Sequence, residues 1–226
     1  MENLKGKNSI KNIIFDLGGV IMDIDFNRTI EAFKDLGAEN FEQLFSWEKQ
    51  VNLFNKMDRG EVSPGEFRNE IRSITGLNIS DQQIDDAWMK ILSKVPYSRI
   101  QLLREVKGNY NSYLLSNTNM IHMENFRQDL QVDFGVSGIE VLFDRSYLSY
   151  EVGMRKPEKR IFEHVIENNN LDVSEILFID DTPQHIESAS SLGINTYLFK
   201  PGEERLEDLF ENGVLTGMEL KGMERR

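Results

Sequence analysis

The amino-acid sequence predicts an α/β protein, a doubly wound parallel sheet interrupted after its first strand by an all-helical insert. Three observations carry this. The apolar run "NIIFD" at 12–16 is followed, over 27–107, by segments whose apolar periodicity is helical throughout. From 111 onward short apolar runs alternate with helical stretches, the pattern of βαβ units. Several of those runs end on polar residues suited to chemistry, as expected at the carboxyl edge of a parallel sheet. The expected organisation is a core of residues 1–25 and 108–226 with a helical insert, or cap, over 26–107.

Taken in order, "NIIFD" continues through two glycines into "VIMDI". "NRTIEAFKDLG" places apolar residues at 30, 33 and 36 and stops at Gly37. "FEQLFSWEKQVNLFNKM" reads as the next helix. "SPGEFRNEIRSITG" follows, with Ser63 as N-cap and Pro64 in the first helical position. "SDQQIDDAWMKILSKV" and "SRIQLLREVKG" complete the insert. "NSYLLS" at 111–116 is a strand and 119–130 a helix, with "IEVLF" and "SYLS" expected as short strands. "PEKRIFEHVIENN" is expected as a helix opened by Pro157. "EILFID" at 175–180 is a strand, "PQHIESASSLG" a helix and "NTYLFK" the last strand.

Bulk composition narrows the function classes. A net charge of −12, from 26 basic and 38 acidic residues, argues against a non-specific nucleic-acid binder. Three histidines and no cysteine argue against a histidine-built zinc site and exclude thiolate chemistry. No apolar run approaches a membrane span, and "MENLKGKNSIKN" lacks the apolar stretch of a secretory signal, so a cytoplasmic protein without membrane or nucleic-acid partners is expected.

The strand ends carry Asp16, Ser116 and the pair Asp180–Asp181, and a further cluster, Arg155–Lys156, lies in a strand-to-helix loop. Singly, each has an ordinary account as a turn, cap or solvated surface group. Together they converge on one sheet edge. Carboxylates crowded there repel one another unless a divalent cation neutralises them, and hard oxygen donors favour Mg2+. A hydroxyl, backbone N–H groups and a lysine would hold an anion, and the combination suits phosphoryl transfer.

In "FDLGGV", "LLSNTN", the lysine of "GMRKPE" and "FIDD", in that order, the chain resembles the haloacid dehalogenase superfamily over about residues 11–200. The wide gap between the first two motifs matches its phosphatase branch with a helical cap inserted after the first strand of a Rossmann-like core. A narrower likeness, in "FDLGGVIMDIDFNR", "YLSYEVGMRKPEKRIFEHV" and the two remaining motifs, is to the bacterial α-D-glucose-1-phosphate phosphatase subgroup. The resemblance implies Asp16 as nucleophile, forming an aspartyl-phosphate, and as Mg2+ ligand. It implies Ser116 and the amide of Asn117 as phosphate donors and Lys156 as the neutralising cation. Asp181 and the Gly18 carbonyl would be further metal ligands, with Asp180 nearby or acting through water. The cap would supply specificity, with Trp47, Phe54, Arg59 and Trp88 large or charged enough to touch a sugar phosphate. A small phosphate ester would be the substrate, the chain acting as a monomer or weak dimer.

One position departs from the resemblance. Most members carry an acid two residues after the nucleophile to protonate the leaving oxygen, and here that residue is Gly18. Three readings stay open: a substrate with a better leaving group, such as a hexose 1-phosphate; a substitute acid, Asp23 or Asp25 being nearest in sequence; or a weak catalyst that chiefly binds. His185 stands where the family usually offers Asp or Asn, one helical turn past Asp181. A 2-haloacid dehalogenase and a receiver-like phosphate-binding module are the rival functions.

Overall fold

The computed structural model describes residues 10–39, 41–42 and 48–216, the side chains of 48–52 excepted. Five parallel strands form the central sheet: β1 (Asn12–Phe15), β2 (Asn111–Ser116), β3 (Arg145–Leu148), β4 (Ile176–Asp180) and β5 (Asn195–Leu198), in the order β3-β2-β1-β4-β5. The chain runs outward from β1 to β3 and then returns to the other side of β1 at β4. That reversal sets the switch point between β1 and β4, where ligands of doubly wound sheets gather.

Strand pleating explains why these runs are apolar without interruption. Ile13, Phe15, Leu114, Leu177 and Ile179 pack on one face, and Ile14, Tyr113, Leu115, Ile176 and Phe178 on the other. Both faces are covered by helices, so β1 and β4 are buried at every position, while the outer strand β5 keeps some exposure. Each of these large side chains contributes roughly 1.5–3 kcal/mol by leaving water.

The insert comprises α1 (Phe26–Asp35), α2 (Glu48–Asp58), α3 (Pro64–Thr75) and α4 (Asp81–Met89). Asp25 caps α1 by accepting from the Asn27 N–H. Ser63 and Glu66 form a reciprocal capping box on α3, with Pro64 at its first position as the sequence suggests, and Ser80 with Gln83 does the same for α4. Phe33, Leu53, Met57, Phe67 and Trp88 give the insert its own core. α5 (Tyr97–Lys107) lies inside the boundary expected for the insert, yet its Ile100, Leu102, Leu103 and Val106 pack with β1 residues in the sheet's core. The helical insert therefore ends near Val95, and α5 is a core helix.

α6 (Met120–Phe134) follows β2 and stops at Gly135, whose φ of 65° suits a left-handed cap. "IEVLF" is not a strand. Ile139 and Leu142 are buried while Val141 between them is 55% exposed, a spacing of three that gives a 3-10 turn over Ile139–Leu142. β3 leads through the single-turn α7 (Ser149–Val152) to α8 (Lys159–Asn169). Pro157 does not open α8: Glu158 is the N-cap, in extended conformation, and the helix starts at Lys159. α9 (Pro183–Ser190) begins on its proline as expected, and a hairpin, β6 (Phe210–Glu211) with β7 (Val214–Leu215), closes the described chain. Asn212 and Gly213 both take positive φ there, the "NG" turn signal that sequence reading passed over. Among the described residues no helix is long and apolar enough to cross a membrane.

Candidate active site

Asp16 follows β1 directly and donates its backbone N–H to the Ile179 carbonyl at 3.0 Å, which ties it to β4. Its Oδ1 accepts from the Leu17 N–H at 2.7 Å and lies 2.8 Å from Lys156 Nζ. Lys156 is wholly buried, and the same ammonium donates to Asp180 Oδ2 at 2.7 Å. One lysine thus bridges the ends of β1 and β4. Burial opposes the charge on all three groups. It pushes Asp16 up to about 8 in spite of the neighbouring Lys156. The Lys156 charge and the His185 hydrogen bond overcome it at Asp180, whose carboxyl lies well below its usual range.

The loop holding Lys156 is fastened by a side chain rather than by secondary structure. Asn117 Oδ1 accepts from the Lys156 N–H at 2.8 Å, and Asn117 Nδ2 donates to the Lys156 carbonyl at 2.9 Å. With its side chain so occupied, Asn117 presents only its backbone amide beside Ser116, which is buried at the end of β2. Ser149 steadies the next residue, its Oγ accepting from the Thr118 N–H and donating to the Thr118 carbonyl, both at 2.9 Å.

Asp180 is saturated. Its Oδ1 accepts from the Thr182 N–H at 2.8 Å and from His185 Nδ1 at 2.9 Å, while Oδ2 takes Lys156. His185 therefore turns into the site and orients a carboxylate, and burial holds its imidazole below the ordinary value despite that hydrogen bond. Asp16, Asp180 and His185 can bring one ligand atom each within 4.8 Å of one another. Asp181 is the less committed acid of the pair, with Thr182 Oγ1 donating to its Oδ1 at 3.2 Å.

Of the two glycines that follow β1, Gly19 is the one in close approach to Asp181. Its φ is +81°, and a Cβ there would stand 2.0 Å from Asp181 Oδ2, so no side chain fits. Gly18 has ordinary φ and faces the Ile24 side chain, 3.3 Å from where its Cβ would be.

These groups open into a cleft of about 420 Å3 between sheet edge and cap. The core contributes Asp16, Gly18, Ser116, Asn117, Asp181 and His185. From the cap come Phe54, Asp58 and Trp88, and the core adds Asn119, His122 on α6, and Arg155. Arg59 does not line the cleft. It pairs with Glu158 across the cap–core junction, while Asp58, one residue earlier, reaches Arg155 at 3.6 Å. Trp47 lies outside the described residues. Asp23 pairs with Arg99 at 3.0 Å, and neither it nor Asp25 lines the cleft. Sequence reading missed Asn119 and His122, which follow β2 in the core, and Asp58, which the docking of cap on core brings to the site.

His122 is buried against Trp88, with ring centroids 5.1 Å apart. Its Nε2 is 3.4 Å from the Trp88 carbonyl and its Nδ1 3.2 Å from Asn119 Nδ2, a pattern that suits the neutral ring donating from Nε2. Burial lowers its pKa from 6.5 to about 4. The folded state then resists a proton that the unfolded chain accepts, so stability is full above pH 6.5 and falls as pH drops toward 4. Urea unfolding at pH 7 and pH 4.5 is expected to show a loss smaller by roughly 2–3 kcal/mol in His122→Phe than in wild type.

Known proteins share this architecture. A family model for haloacid dehalogenase-like hydrolases matches residues 10–193. The chain is 31% identical over 202 residues to D-ribitol-5-phosphate phosphatase of Bacteroides thetaiotaomicron, covering 88% of this chain and 97% of that one. A haloacid dehalogenase family enzyme of the same organism, solved in complex with magnesium and inorganic phosphate, superposes with a TM-score of 0.80 at 39% identity, covering 90% of this chain and all of the other. A haloacid dehalogenase-like hydrolase of Porphyromonas gingivalis gives a TM-score of 0.77 at 31% identity, covering 86% of this chain and 93% of that one. On the strength of that match along most of its length, the chain belongs to the haloacid dehalogenase-like hydrolases.

Proposed function

We propose that this protein is a Mg2+-dependent phosphatase of small sugar and sugar-alcohol phosphates, acting through an aspartyl-phosphate on Asp16. The observation that carries the reading is the buried Asp16–Lys156–Asp180 bridge at the switch point of the sheet, opening into a cleft of about 420 Å3. Such a cleft is of a size for one small phosphorylated metabolite.

The donor set fits magnesium. Asp16, Asp181 and the Gly18 carbonyl are hard oxygen donors lining one cleft, and the Gly19 backbone lets the Asp181 carboxylate close on the loop that carries Gly18. Asp180, spent on Lys156, Thr182 and His185, serves as the orienting acid. When bound, Mg2+ neutralises phosphoryl oxygens and the carboxylates around them. Asp16 uses Oδ1 for Leu17 and Lys156, which leaves Oδ2 to attack phosphorus. Ser116 and the Asn117 amide hold phosphoryl oxygens, and Lys156 balances the charge that builds between Asp16 and the phosphoryl group.

The relative that acts on D-ribitol 5-phosphate supports a phosphorylated polyol, and the motif likeness to glucose-1-phosphate phosphatases supports a hexose 1-phosphate. Phosphate release from both esters, with and without EDTA, tests the reading. Hydrolysis that falls about 10²-fold or more on chelation is expected. Metal-independent halide release from 2-haloacids, with no phosphate release from either ester, would replace it with the dehalogenase reading.

A further inference from the structure

We propose that Asp58, from the cap, is the proton donor for the leaving oxygen, standing in for the side chain that Gly18 lacks. The inference rests on the phosphatase reading and adds the residue its mechanism is missing. Of the described acids, three line the cleft: Asp16, Asp58 and Asp181. Asp16 is the proposed nucleophile and Asp181 a proposed metal ligand, which leaves Asp58. The two histidines there are otherwise engaged, His185 by Asp180 and His122 by Asn119 and the Trp88 carbonyl.

Asp58 ends α2 and meets the two core loops that carry the phosphate-binding groups. It lines the cleft together with Asn119, three residues after Ser116, and lies 3.6 Å from Arg155, next to Lys156. A cap residue held in this way faces the part of the substrate that departs, since the phosphoryl end is taken by the core. Burial raises Asp58 to about 6 against the lowering influence of Arg155, the Asn119 hydrogen bond and Arg59, close to the range where one group can both give and take a proton. Ile24 occupies the space beside Gly18, so the substitution is built into the packing.

The step balances. As Asp16 Oδ2 bonds to phosphorus and the phosphorus–oxygen ester bond breaks, the Asp58 carboxylic acid protonates the departing alkoxide. Arg155 then stabilises the Asp58 carboxylate. That carboxylate takes a proton from the water that attacks the aspartyl-phosphate, releasing inorganic phosphate and restoring the Asp16 carboxylate and the Asp58 acid.

Leaving-group dependence tests the role, because a p-nitrophenolate needs no proton and an alkoxide does. Wild type and Asp58→Asn are compared on D-ribitol 5-phosphate and p-nitrophenyl phosphate with Mg2+. The variant is expected to lose about 10²–10³-fold in the single-turnover rate of leaving-group release from the alkyl ester and less than about fivefold in that from the aryl ester, a step that precedes the shared hydrolysis of the aspartyl-phosphate. Retained aryl activity also reports an intact fold. Equal losses on both esters, a change confined to KM, or no loss on the alkyl ester would overturn the assignment. If wild type hydrolyses neither ester, the phosphatase reading itself fails and takes this one with it.

Discussion

Asp16→Asn is expected to lose phosphatase activity by about 10⁴-fold or more in kcat, the scale seen when a covalent nucleophile is removed. The substitution keeps the shape of the side chain and its place beside Leu17 and Lys156, while an amide oxygen cannot form the aspartyl-phosphate. Burial already opposes the charge of Asp16, so the variant should fold at least as well as wild type. Loss of activity without loss of stability separates chemistry from architecture. Intact-mass analysis after acid quenching should show a phosphoryl adduct on wild type supplied with substrate and none on the variant. Activity within tenfold of wild type would place the nucleophile elsewhere.

Lys156→Met is expected to be inactive and less stable by about 3–5 kcal/mol, the cost of stranding buried charges without their partner. The ammonium is fully buried between Asp16 and Asp180, at 2.8 and 2.7 Å, and no solvent reaches it to take over. Methionine fills much the same volume, so the loss reports charge and not a cavity. Adding Asp180→Asn to Lys156→Met removes one orphaned carboxylate and should recover part of the stability but none of the activity. Urea denaturation of the three proteins at pH 7 measures this; a single variant as stable as wild type would show that the bridge contributes nothing net.

Much of the architecture was legible because the chain's periodicities agree with its packing. Uninterrupted apolar runs mark strands covered on both faces, and capping residues such as Ser63 and Ser80 mark helix starts without reference to the rest of the fold. The failures share a cause. "IEVLF" has strand composition, but its inward positions are three apart, which only its neighbours reveal. α5 has the helical pattern of the insert, and what assigns it to the core is the partner it packs against. At the site, the strand-end groups were readable because topology alone collects them at one edge. Of the cap groups, Phe54 and Trp88 were named for their size and line the cleft, but Asp58 was not named. Arg59 was singled out for its charge, yet α2 ends at Asp58 and Arg59, the first residue past it, turns to Glu158 across the junction. Asp58 faces the cleft instead.

Those two neighbours also tie the insert to the core. Cap Arg59 grips core Glu158, and core Arg155 grips cap Asp58, so opposite charges cross the junction in both directions. All four side chains are between a fifth and somewhat over a quarter exposed. Dissolved ions therefore screen the clasp without abolishing it. Ion pairing across the junction is accordingly expected to contribute less to stability as salt is added, which urea denaturation at low and high ionic strength measures.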